Sequence, residues 1–126
     1  MNTPENLKYS RSHEWLEILP DGAARIGITD FAQSQLGDIV FVNLPDPGDE
    51  VTTGGRLADV ESVKAVSDIF SPVSGRVREV NEALGDAPEA INQNPYDAWL
   101  AVIENVGETE ELLDAAAYAA FCEEEG

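Results

Sequence analysis

Turn-forming residues break this chain at short intervals, and that punctuation limits the folds open to it. Pro20-Asp21-Gly22, Pro45-Asp46-Pro47-Gly48 and Thr52-Thr53-Gly54-Gly55 each close off a short apolar run. Between the breaks, residues 14–19, 23–28, 39–43, 57–62 and 66–70 alternate in the period-two manner of half-buried strands. Short strands at this spacing predict a mainly β fold, an antiparallel sandwich or flattened barrel, and leave open which strands pair. Thr29 or Asp30 caps a short helix over 31–36 that Gly37 ends. Pro72 and Gly75 predict a second hairpin, with Gly75 taking a positive φ.

Two further patterns complete the outline. Gly48-Asp49-Glu50-Val51 leads into residues 57–61, and Gly85-Asp86-Ala87-Pro88 leads into residues 100–104, a weak internal repeat. Leu112, Leu113, Ala116, Ala117, Ala120 and Phe121 recur at helical spacing, with Thr109 or Asp114 as the N-cap. The expectation is one domain over 1–126, with a core at about 14–105 and a C-terminal helix at about 109–124. Glu123, Glu124 and Glu125 fall at the negative end of that helix, which predicts a frayed tail.

Lys8 and Lys64 are the only lysines among 126 residues that include 25 carboxylates. Lys64 lies between the strand patterns 57–62 and 66–70, at the expected tip of a hairpin. An isolated turn lysine commonly serves solvation alone. A tip position also projects the amine away from the sheet, where another protein's active site reaches it. The second half of the repeat presents no lysine after Glu104, so only one modification site is expected.

Composition narrows the classes of function. A net charge of −18 repels phosphates and anionic lipid surfaces, which argues against nucleic-acid or membrane partners and favours transient docking to basic patches on enzymes. The first six residues show no secretory or transit pattern, and no stretch approaches a membrane span, so a cytoplasmic location is expected. The lone Cys122 reads as helix packing. His13, the single histidine, has no cysteine cluster to join, so neither a metal site nor a catalytic constellation is expected.

Several segments together carry a specific resemblance. They are Leu7-Lys8-Tyr9, Ser12-His13-Glu14-Trp15, Gly27-Ile28-Thr29-Asp30-Phe31-Ala32-Gln33, Leu36-Gly37-Asp38-Ile39-Val40-Phe41-Val42, residues 61–68 and Pro72-Val73-Ser74-Gly75. Over nearly its whole length the chain resembles the H proteins of the glycine cleavage system. The resemblance implies a flattened antiparallel barrel of the biotinyl/lipoyl-carrier type, with short helices and a C-terminal helix. Its two sheets would be related by an approximate two-fold axis.

The resemblance further implies lipoic acid joined by an amide to Lys64. The arm would take an aminomethyl group from a pyridoxal-phosphate glycine decarboxylase (P protein) to a tetrahydrofolate-dependent aminomethyltransferase (T protein). Dihydrolipoamide dehydrogenase (L protein) would reoxidise it, and a lipoate ligase or octanoyltransferase would load it. The carrier would be a monomeric substrate with no active site of its own. Ser12, Glu14 and Asp68 carry over as residues that hold the loaded amine, and Glu61 and Gly75 as residues flanking the hairpin that a modifying enzyme reads. Against the family pattern, Asp97-Ala98 leads straight into Trp99, one residue short of the usual glycine-rich step.

The rival reading within this class is a relay that donates octanoyl or lipoyl groups to other lipoate-dependent enzymes. A biotin carrier fits less well, because Lys64 lacks flanking methionines. A purely structural binding module predicts that Lys64→Arg is tolerated, whereas a guanidinium cannot form the amide a carrier needs.

Overall fold

The computed structural model describes residues 3–125, and strands dominate it. In chain order the elements are β1 (Lys8–Tyr9), β2 (Glu14–Ile18), β3 (Ala24–Ile28), α1 (Asp30–Leu36), β4 (Ile39–Asn43), β5 (Glu50–Val51) and β6 (Arg56–Ser62). They continue with β7 (Val66–Phe70), β8 (Gly75–Val80), α2 (Ala83–Asp86), α3 (Ala90–Gln93), β9 (Ala101–Glu104) and α4 (Ala115–Glu125). A six-stranded sheet runs β1-β2-β3-β9-β8-β5, and a three-stranded sheet runs β4-β6-β7, with every pairing antiparallel. The two copies of the weak repeat fall in different sheets, β6 at the centre of the smaller and β9 inside the larger. Among the described residues no helix is long and apolar enough to cross a membrane.

The inward rows of both sheets meet in one core. Ile26, Ile28, Leu100 and Ile103 of the larger sheet's side pack with Val42, Val60 and Ile69 of the smaller. The period-two pattern is the cause, since alternate side chains of each strand share a face. At β2 and β3 the larger sheet is buried on both faces. Leu16 joins the main core, while Trp15 turns outward into a second cluster with Leu7, Tyr9, Tyr118 and Cys122. Gly27, cross-strand from Trp15, leaves room for the indole, because a Cβ there would lie 2.6 Å from three of its atoms. The indole N–H donates to the Pro95 carbonyl at 3.0 Å.

α1 forms as its flanking residues dictate. The Thr29 hydroxyl accepts from the Ala32 N–H at 3.1 Å, and Gly37 ends the helix at φ 78°. α4 departs from expectation at its start. It begins at Ala115 rather than near 109, because the backbone before it is committed elsewhere. Glu110 N–H donates to Pro72 O at 2.9 Å, and Tyr9 and Leu113 exchange hydrogen bonds at 2.8 and 2.7 Å. Asp114 is the cap, its carboxylate accepting from Ala117 N–H at 2.8 Å. The buried residues are Ala115, Tyr118 and Cys122 rather than the expected row through Ala116, Ala117 and Ala120, and Tyr118 stacks on Tyr9 at 4.6 Å. The helix runs to Glu125, within a residue of its expected end, and Glu125 pairs with His13 Nε2 at 2.8 Å.

The second hairpin is corrected as well. β7 and β8 belong to different sheets, so residues 71–74 cross from one to the other. Gly75 is the first residue of β8 and has no positive φ. Its small size is needed for another reason: a Cβ would lie 2.5 Å from the Glu104 carbonyl oxygen across the β8–β9 pair.

Candidate functional site

Lys64 occupies the tip of the β6–β7 hairpin, as its flanking patterns predict. Glu61 pairs with Val66, and Ser62 closes the turn through its N–H to Ala65 O at 2.8 Å. The Ser62 hydroxyl accepts from the Lys64 and Ala65 amides, each at 3.1 Å, so the turn is held by its own backbone and one side chain. Lys64 is exposed, and its ammonium makes no ion pair with any described residue. Its stem rests over Gly37, where a Cβ would lie 3.3 Å from Cε.

The surroundings of this amine differ from the rest of an acidic surface. Val63 is 67% exposed, Val66 65% and Phe41 48%. Phe41 pairs with Glu61, which pairs in turn with Val66, so Glu61 sits between two exposed apolar side chains one step behind the tip. The next row back is polar: Asp59 pairs with Asp68, and Arg56 bonds both carboxylates, reaching Asp68 from Nε at 3.3 Å. Gly75 lies beyond Phe70, at the far end of β7 from Lys64, so it does not share the tip with Glu61.

Beside the hairpin runs a cleft of about 150 Å³. Phe31, Ala32, Gln35 and Leu36 of α1 form one wall, Ser67, Asp68 and Ile69 of β7 the other, and Ser12, His13 and Ile28 close it. One of its walls, Leu36, adjoins Gly37 beneath the Lys64 stem, and another, Ser67, lies three residues past Lys64 on β7. His13 is held firmly in this wall at φ 73°. Its ring stacks on Phe31 at 4.6 Å, and Nδ1 lies 2.7 Å from the Tyr118 hydroxyl. The sequence offered no sign of this role, because the hydrogen-bonding partners of His13, Tyr118 and Glu125, come from the distant α4.

Of the expected cleft residues, Ser12 and Asp68 line it directly and Glu14 lies behind them. Glu14 is 1% exposed. Its Oε1 accepts from Ser10 and Ser12 at 2.6 and 2.5 Å, and its Oε2 from the Phe70 amide at 3.4 Å. Burial pushes the carboxyl up to about 7, against the lowering effect of those three donors. Near neutral pH it is therefore poised between charged and neutral forms. A cation arriving in the cleft would favour the charged form, in which the carboxylate gives a charge-assisted acceptor. The apolar lining from Ile28, Phe31, Ala32, Leu36 and Ile69 suits a long aliphatic arm.

Comparison with known proteins gives a consistent picture. The family model described as glycine cleavage H-protein matches residues 7–125. A glycine cleavage system H protein from Lachnoclostridium phytofermentans is 52% identical over 125 residues, covering 99% of this chain and 98% of that protein. A probable glycine cleavage system H protein from Pyrococcus furiosus is 52% identical over 120 residues, covering 93% and 90%. Among solved structures, the crystal structure of a glycine cleavage system H protein from Mycobacterium marinum superposes with a TM-score of 0.88 at 43% identity, covering 93% of this chain and 96% of that one.

Proposed function

The chain belongs to the glycine cleavage H-protein family, and from that premise we propose that Lys64 is where it takes its lipoyl group. The protein is a lipoyl carrier of the glycine cleavage system, a substrate for its P, T and L proteins rather than a catalyst. The observation that carries the assignment of Lys64 is its place, exposed at a hairpin tip beside an apolar cleft. Loading forms an amide between Nζ and the lipoyl carbonyl. The ammonium first loses one proton and with it its charge; Nζ then attacks the carbonyl and loses a second proton as the activating group leaves with its bonding electrons. Once attached, the group would supply a dithiolane whose S–S bond opens as one sulfur takes the aminomethyl fragment and the other becomes a thiol; the dithiol left after the fragment departs would be reoxidised to the dithiolane by the L protein.

The chain's own residues supply presentation and protection. The hairpin turn fixes the point from which the arm departs, and Val63, Val66 and Phe41 offer apolar contact to an enzyme closing over it, with Glu61 among them for recognition. Between visits, Phe31, Leu36 and Ile69 shelter the stem of the arm, while Ser12, Glu14 and Asp68 receive its amine. Asp68 first gives up part of its pairing with Arg56. Gly75 serves the β8–β9 approach and reaches a modifying enzyme only through the fold. A lipoate ligase or octanoyltransferase as loading enzyme, a single domain over 1–126, and a monomeric cytoplasmic state belong to the same proposal.

Intact mass and peptide mapping after expression in a lipoylating host test the assignment, with Lys64→Arg as control. One lipoyl group on Lys64, absent from the variant, is the expected result. An unmodified wild type beside a modified known carrier in the same cells would overturn it. For the cleft, equal formaldehyde release from loaded wild type and Glu14→Ala would remove Glu14 from the proposal.

A further inference from the structure

We infer that Asn92, on α3 and far from Lys64 in sequence, is a positioning residue that sets where the Lys64 amine is presented. This rests on Lys64 being the attachment residue. Asn92 spans the turn between α1 and β4. Its Nδ2 donates to the Gly37 carbonyl at 2.9 Å and to Gln33 Oε1 at 3.0 Å, while its Oδ1 accepts from the Ile39 amide at 2.8 Å. The amide orientation follows from its partners, since a backbone carbonyl only accepts and a backbone N–H only donates. One side chain thereby satisfies a carbonyl at the end of α1 and the first amide of β4, groups that the helix and the strand leave open.

That turn is what the hairpin tip leans on. The Asp38 carbonyl accepts from the Val63 amide at 3.1 Å, Ile39 is paired with Ser62, and Gly37 lies directly under the Lys64 stem. Three successive residues of the turn thus meet three successive residues of the tip, 62–64. The Val63 amide lies beyond the last β6–β7 pair, Glu61 with Val66, so its anchor comes from the turn and not from the hairpin ladder. Asn92 fixes the turn, the turn fixes the tip, and the amine leaves the surface from a defined place. An enzyme forming a bond to Nζ depends on such placement, since a displacement of about 1 Å costs on the order of 100-fold in rate.

The test uses the full chain and a lipoate ligase with lipoate and ATP. Asn92→Ala is expected to lower kcat/KM for attachment by about 10-fold. Amide exchange at Val63 should quicken while exchange in the β2–β3 and β8–β9 ladders stays at the wild-type rate, a pattern that general destabilisation would not give. Gly37→Ala is the second variant, placing a methyl group against the Lys64 stem, and it should also slow attachment. Gly22→Ala controls for backbone strain, because Gly22 has a similar φ of 89° and nothing within 4 Å of a Cβ; it should load like wild type. Unchanged Val63 exchange in Asn92→Ala overturns the inference, as does kcat/KM within two-fold of wild type in both Asn92→Ala and Gly37→Ala. A wild type that takes no lipoyl group on Lys64 overturns the proposed function itself and this inference with it, so the two failures are told apart by the wild-type lane.

Discussion

Replacing Glu14 by glutamine should change how stability depends on pH, in an amount that follows from its surroundings. The carboxyl is pushed up to about 7 from an ordinary 4.5, chiefly by burial. The native state therefore holds this proton at pH values where the unfolded chain has released it. Stability from this group is full below the unfolded value and is lost as pH rises through the native one. Over the whole interval the loss is about 3 kcal/mol, and most of it falls between pH 5 and pH 8. Glutamine has nearly the same shape and does not titrate, while every other group titrates alike in both proteins. Its amide faces the Phe70 N–H less well than a carboxylate does, which offsets the curve without tilting it. Urea denaturation of both proteins at pH 5, 6, 7 and 8 gives the difference directly. The variant should gain on wild type by about 2–3 kcal/mol across the series. Parallel profiles, differing by less than about 0.5 kcal/mol over that range, would refute the claim that Glu14 is buried at an energetic cost.

Other perturbations follow from the same structure. Gly27→Ala drives a methyl group into the Trp15 indole, 2.6 Å away, and should cost about 2–3 kcal/mol in urea; a midpoint like wild type would show that the ring moves aside freely. Asp114→Ala removes the cap of α4 and should cost about 1 kcal/mol, with loss of far-UV helical signal before the main transition. Because 25 carboxylates face 7 lysines and arginines, screening should raise the thermal midpoint by several degrees between about 0.01 and 1 M salt, and a salt-independent midpoint would remove self-repulsion as a factor.

The features legible in the sequence were those set by neighbours along the chain. The strands on either side of Lys64 declare themselves by alternation, and Thr29 and Gly37 mark the ends of α1 through capping rules that operate within a few residues. Gly75 shows the other side. A glycine required by a turn and one required by a close neighbour look the same in sequence, and only the Glu104 carbonyl across the sheet decides between them. Residues 109–113 keep a helical rhythm but are drawn into extended pairing with Val73 and Tyr9, a tertiary override of local preference. Glu14 entered as a candidate cleft carboxylate only through the family resemblance, and its burial behind Ser12 had no local signal. Asn92 gave no signal at all, because each of its partners lies more than fifty residues away.

The division into two apolar clusters has a spectroscopic consequence. Trp15, Tyr9 and Tyr118 are buried in the second cluster, and Tyr96 and Trp99 pack against it, which accounts for both tryptophans and all three tyrosines of the chain. The core between the two sheets is built from aliphatic side chains and is optically silent in the near ultraviolet. Intrinsic fluorescence and near-UV dichroism thus report on α4 and the outer face of β2, and only indirectly on the barrel that carries Lys64. If fluorescence and far-UV signals change together on heating, the clusters melt as one cooperative unit. If fluorescence changes first, α4 has come away from an intact barrel, and a stability read from emission alone would describe that release.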